Sequence, residues 1–224
     1  MIRKRYFLLC FLICIIALSG FEQAAAQDFE GVIHFEVPEM RQSQTGDLIY
    51  MIKGDKARLE FGQGNQKAVM LYFSDKNQMV LLMHQMRGYV KFDAREKGQE
   101  VSNTVRNSQI EKTGRTKTVA GRSCTIWLSM EDRKEYEICA ARGMGNFILP
   151  KMPMSAADNT PNWAEEVFSE GFMPLEVARV SSGNRREVKL KATRIVSKSL
   201  QESLFMIPSD YEDMSDALMQ MGNH

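Results

Sequence analysis

The chain has 224 residues, with 29 Lys plus Arg against 28 Asp plus Glu. So even a balance gives no general attraction to nucleic acid or anionic lipid headgroups, and no nucleic-acid partner is expected. With 44% hydrophobic residues it has enough apolar material for a real core.

Arg3, Lys4 and Arg5 open the chain, Tyr6 to Leu18 is an almost unbroken apolar run, and Ala24-Ala25-Ala26 supplies small residues after it. That order predicts a cleavable signal peptide over residues 1–26. The run is shorter than the ~20 residues of a bilayer span; an uncleaved N-terminal anchor is the alternative. Leu9 and Ile13 precede Cys10 and Cys14, so neither cysteine carries the small residue before it that a lipid anchor needs. Cleavage near Ala26 leaves residues 27–224, the length of one domain, in the periplasm or outside the cell.

Cys10 and Cys14 depart with the signal, and Cys124 and Cys139 stay. In an oxidising compartment such a pair reads as a disulfide. Two buried thiols or a metal pair are the alternatives, the latter a poor one because zinc takes four ligands.

Short alternating runs follow. Phe29, Ile33, Phe35 and Val37 share one face of a first strand, with Glu30, His34 and Glu36 on the other. Leu48 to Lys53 and Ala57 to Phe61 flank Gly54-Asp55, a hairpin turn. Val69 to Phe73 and Met79 to Met83 flank Ser74 to Asn77, whose residues favour turns. Tyr89 to Phe92 is a further strand. Residues 94–118 read as a long polar loop with one edge strand near Ser108 to Lys112. Arg106, Lys112, Arg115, Lys117 and Arg122 make it basic, the mark of a solvated face.

Ser123 to Ser129 and Lys134 to Ala140 form the next hairpin. Setting Cys124 opposite Cys139 also pairs Trp127 with Tyr136; a one-residue slip pairs Ile126 with Ile138 but parts the cysteines. The first register is preferred because it buries the aromatics and permits the disulfide. Residues 143–161 read as a Gly-, Pro- and Met-rich loop. Asn162 to Glu170 predicts a short helix capped by Asn162 and stopped at Gly171. Leu175 to Val180 and Glu187 to Val196 are strands. Met214, Leu218 and Met221 suggest a short C-terminal helix. The fold expected is mainly β: one curved antiparallel sheet of eight to eleven strands, half-barrel-like, with one or two short covering helices, one of them over the concave face.

No catalytic motif stands out. There is no nucleophile elbow and no phosphate loop, and His34, His84 and His224 lack neighbours at metal-ligand spacing. Glu135 and Glu137 lie two apart on one strand and read as a solvated face. The expectation is a non-enzyme with no catalytic, cofactor or metal residues to name. The 16 methionines stand above background. Met144, Met152, Met154 and Met173 gather around the second loop, and Met79, Met83 and Met86 near one turn. They suit core packing first, an adaptable apolar surface second, and Cu(I) third.

The run Thr118-Val119-Ala120-Gly121-Arg122-Ser123-Cys124-Thr125-Ile126-Trp127 carries a resemblance, with the opening Phe29-Glu30-Gly31-Val32-Ile33 and the closing Ser203 to Tyr211. Together they resemble a family of secreted bacterial proteins, domain-of-unknown-function family 4412, in which an aromatic more often stands at the place of Cys139. The family is similar to the lipoprotein carriers of the bacterial envelope. The resemblance implies a half-barrel covered by helices around an apolar cavity, and a lipid or acyl ligand, with no site residue to carry over. Three readings follow: a binding module for an apolar ligand, with a cavity of ~300–1,000 Å³; an envelope protein-interaction or structural module, with an exposed apolar patch around 144–161; and methionine-based copper handling.

Overall fold

The structure, a computed structural model, describes residues 29–38, 40, 48–62, 67–93, 109–131, 133–145, 161–181, 183 and 185–217. The expected signal, Met152, Met154, Leu218, Met221 and His224 lie outside these residues. So do 94–108 of the first expected loop and 146–160 of the second.

The alternating runs are strands because side chains two apart share a face and the sheet buries that face. They are β1 (Gly31–Glu36), β2 (Leu48–Lys53), β3 (Lys56–Phe61), β4 (Ala68–Phe73), β5 (Gln78–Met83) and β6 (Gly88–Asp93). There follow β7 (Gln109–Val119), β8 (Arg122–Glu131), β9 (Lys134–Arg142), β10 (Phe172–Ser181), β11 (Arg185–Ser197) and β12 (Glu212–Asp213). They form one sheet in the order β12-β6-β5-β4-β3-β2-β1-β11-β10-β9-β8-β7, antiparallel throughout except where β12 runs parallel to β6. Among the described residues β12 and β7 are the ends, so strand pairing leaves the sheet open. The expected turns form: Gly54-Asp55 joins Lys53 to its partner Lys56, and Ser74 to Asn77 joins Phe73 to Gln78.

The structure departs from two of these expectations. The polar stretch up to residue 118 is in good part a strand, since β7 runs eleven residues from Gln109 to Val119. An edge strand has fewer neighbours to bury it, so its sequence shows little apolar alternation. The β8–β9 hairpin takes neither expected register: Ile126 faces Cys139, Trp127 faces Ile138 and Ser129 faces Tyr136. That sets Cys124 and Cys139 diagonally on one face, bonded to each other with their Cα atoms 5.4 Å apart. The expectation rested on one buried face, whereas both faces of this hairpin are buried. Cys124, Ile126 and Cys139 belong to one cluster and Trp127, Ile138 and Ala140 to another.

Curvature follows from contacts that a flat sheet forbids. Lys117 on β7 and Glu176 on β10 are three strand spacings apart, about 14 Å if flat, yet Lys117 Nζ donates to Glu176 Oε1 at 2.7 Å. Arg122 Nη2, at the β7–β8 turn, donates to Ser197 Oγ at the end of β11 at 2.9 Å. Lys117 pairs across β7–β8 with Cys124, so the face that carries the disulfide is the concave one.

The convex face has two covers. One is α1 (Asn162–Ser169), whose Trp163, Ala164 and Val167 pack on Trp127, Ile138, Ala140, Phe172 and Val177. Pro161 holds the N-cap position in place of the expected Asn162, and the Glu131 carboxylate at the end of β8 accepts the Trp163 N–H at 2.8 Å. Gly171 follows with φ +74°, a conformation that favours glycine. Covering by helix is thus on the convex side, with Phe168 of the helix and Leu190 of β11 touching the clusters of both faces.

The other cover is a strap, residues 198–214. Leu200 and Phe205 pack on Val32, and Ile207 and Tyr211 pack on Val69, Leu71, Val80 and Leu82. The strap then pairs with β6 as β12, and the Met214 side chain occupies the space a Cβ on Gly88 would need. Ion pairs fasten it: Glu202 with Lys53 and Lys56, Asp210 with Arg87, and Asp213 with Lys91. Among the described residues no helix is long and apolar enough to cross a membrane.

Candidate functional site on the concave face

Alternation puts the odd-numbered apolar residues of β1 on the concave side, and pairing carries the same face along the sheet. Ile33 faces Tyr50, Tyr50 faces Leu59, and Leu59 faces Met70. The resulting cluster runs from Met79 on β5 through Phe35 on β1, Leu175 on β10 and the disulfide to Val119 on β7. Ile33, Phe35, Tyr50, Met70, Met173 and Leu175 are fully buried there. Among the described residues the apolar side chains of the concave side are buried, where an open cavity was expected.

Four methionines enter the cluster: Met70, Met79, Met144 and Met173. Met144 and Met173, two of the four around the expected second loop, are brought into one core, so Met144 belongs to no exposed patch. The second group does not converge, since Met79 is buried while Met86 is 58% exposed on the short helix His84–Met86. Past β9 the chain turns onto this face: a Cβ on Gly145 would lie 2.7 Å from Ile52 Cγ2 on β2.

A charged group stands on the same face. Glu176 Oε1 accepts from Lys117 Nζ and from Arg186 Nη2, each at 2.7 Å. Glu137 Oε1 lies 3.3 Å and 2.8 Å from the same two cations. Burial pushes the Glu176 carboxyl up, but the two cations outweigh it and hold it below the ordinary carboxylate value. Glu137 is thus one of four members of a shielded network and no part of a solvated face. Lys117 and Arg122, too, cross-link the curl. The sequence carries no sign of this network, because its four members come from four strands whose register is set by the fold.

The histidines are placed apart. His34 is half-buried on β1, and His84 Nδ1 shares a hydrogen bond with the Tyr211 hydroxyl of the strap. Among the described residues no three His, Cys, Asp or Glu side chains converge on a point that a metal ion could occupy.

The model of a family described as domain of unknown function (DUF4412) matches residues 29–211, nearly the whole sheet and most of the strap. The chain belongs to this family. The DUF4412 match therefore takes in β1, the disulfide hairpin and the strap up to Tyr211. Solved structures similar to this DUF4412 chain include PNGF-II, at 14% identity and a TM-score of 0.47 over 86% of this chain and 32% of that one. The chain thus spans about a third of the length of PNGF-II. An uncharacterized conserved protein from Thermus thermophilus is similar at 9% identity and a TM-score of 0.45, over 84% of this chain and 91% of that one. MucB is similar at 14% identity and a TM-score of 0.39, over 84% of this chain and 60% of that one. No curated protein matches the chain.

Proposed function

We propose that this DUF4412 protein is an exported, non-enzymatic binding module that takes a lipid or other apolar ligand against its concave face, in the periplasm or outside the cell. One observation carries the reading. The concave face carries one apolar cluster that runs from β5 to β7 beside the Lys117–Glu137–Glu176–Arg186 group, while the two described covers, α1 and the strap, both pack on the convex face. An apolar face of this extent exceeds what a hairpin or a helix contact needs, and its four methionines are side chains that repack around differing shapes. The described apolar side chains of the face are buried here, so uptake requires the sheet to part. The seam between the β7–β8 hairpin and β11 is suited to that, because side-chain contacts such as Arg122 to Ser197 hold it without backbone pairing. The disulfide and the signal-like start support export, and the resemblance drawn from the sequence motifs implies the same ligand class.

Native mass spectrometry of protein purified gently from the periplasm, with lipid extraction of the same sample, tests this. A bound mass that extracts as phospholipid or fatty acid is the expected result. A clean apo mass that gains nothing on addition of lipids would overturn it and favour an envelope protein-interaction module.

A further inference from the structure

On the convex side, at the edge formed by β7, β8, β9 and β10, an open cleft of about 510 Å³ is lined by Lys112, Arg142, Phe172, Thr125, Ser123 and Ala140. Its construction is specific. Phe172 is buried beneath two cations: Lys112 Nζ stands 4.5 Å and the Arg142 guanidinium 4.6 Å from its ring centroid. Lys112 also stands 4.9 Å from the Trp127 ring. Aromatic rings under a cation stabilise it where a neighbouring carboxylate is scarce. Among the described residues Glu170, just past α1, is the one acidic partner of either cation: 2.7 Å from Lys112 and 3.8 Å from Arg142.

The second distance exceeds hydrogen-bond range, so Glu170 leaves the planar fork of Arg142 with donors to spare. Two cations against one carboxylate give the cleft a net positive charge. The Ser123 and Thr125 hydroxyls add neutral donors, and Ala140 keeps the floor low.

We propose that this cleft binds an oxyanion, a phosphate or phosphate ester, with Arg142 as the bidentate donor, Lys112 as the second charge, and Glu170 as the resident carboxylate it displaces. The site is independent of the apolar ligand, because it lies on the opposite face of the sheet. Its anion comes either free in solution or as the headgroup of a lipid in a membrane surface.

Titration of the purified protein with inorganic phosphate, followed by backbone NMR, is one arm. Co-sedimentation with phosphatidylcholine vesicles, with and without phosphatidylglycerol, is the other. Saturable shifts at Thr125, Ala140 and Arg142 support a free anion; binding only to the phosphatidylglycerol vesicles supports a headgroup. In whichever arm binds, Arg142→Gln weakens binding about tenfold, and Glu170→Gln tightens it several-fold by removing the competing carboxylate. Arg142 is 66% and Glu170 39% exposed, so both variants keep the fold, which a melting curve verifies. Binding in neither arm, or an affinity that ignores both substitutions, overturns the proposal. A Glu170→Gln variant that binds more weakly would do so too, since a purely structural Glu170 predicts that sign.

Discussion

The Lys117 ammonium on edge strand β7 lies 2.7 Å from the Glu176 carboxylate on β10, so two side chains bridge strands that share no backbone hydrogen bond. The curl of the β7–β11 half is thus tied by charge on its inner side, beside the disulfide. Glu176→Gln leaves Lys117 and Arg186 with Glu137 alone. It is expected to cost about 1–3 kcal/mol in urea unfolding, the range for stripping a partner from a shielded charged group. The double variant Lys117→Met/Glu176→Gln should cost less than the sum of the two single changes. Simple additivity would show that the pair does not couple.

Cys124 and Cys139 close a loop with a sequence separation of 15. On the chain-entropy model a loop of that size contributes about 3 kcal/mol. Cys124→Ser should lower the urea midpoint by a matching amount, and reducing agent should lower the wild type but leave the variant where it is. A wild type indifferent to reductant would remove the disulfide from the stability argument.

Phe205 of the strap is buried against Val32 and Leu200. Phe205→Ala removes a ring from a packed site and should cost about 3–5 kcal/mol. It should also raise binding of a hydrophobic dye, as the outer face of β1 and β2 loses its cover. A variant that melts with the wild type would mean that the strap contributes little.

Acid should release the same strap. Glu30 is held below its ordinary value of 4.5 by the Leu200 N–H and by Lys53. Glu202 is held below 4.5 chiefly by Lys56, and Asp210 below 3.8 chiefly by Arg87. Asp213 is lowered by Ser215 first and then by Lys91. Each group takes up a proton more readily when the strap is loose. Their stabilisation is therefore complete above the ordinary carboxylate values and lost as pH falls through the lowered ones. Hydrogen exchange at the Leu200 and Leu204 amides should accelerate, relative to β1, between neutral pH and about pH 3. Equal protection at both ends of that range would contradict the ionic fastening.

What the sequence disclosed was periodicity. The strands from Gly31 to Asp93 are legible because short apolar runs, alternating in β1 and β3 and continuous in β2, β4 and β5, are separated by turn residues. The disulfide is legible from two cysteines. The β8–β9 register is not, because both of its faces are buried and the apolar pattern cannot choose between them. β7 hides because an edge strand of Lys, Thr and Arg looks like a loop. The strap hides because it crosses strands without adopting a period of its own. The Lys117–Glu137–Glu176–Arg186 group is invisible to any reading that lacks strand order, and so is the convex cleft.

The place of β1 in the sheet has a consequence for how the molecule comes into being. Its neighbours are β2, next in the chain, and β11, so that Thr193 Oγ1 donates to the His34 carbonyl across 159 residues. Within the meander from β1 to β6 every pairing joins strands that follow each other in the chain, so it can assemble early. Its free β1 edge and its apolar outer face must then wait for the last part of the chain to emerge. Topologies dominated by such distant pairings fold slowly, and an unpaired strand edge invites other chains. Until β11 docks and the strap lies down, the half-made molecule is the form most exposed to aggregation.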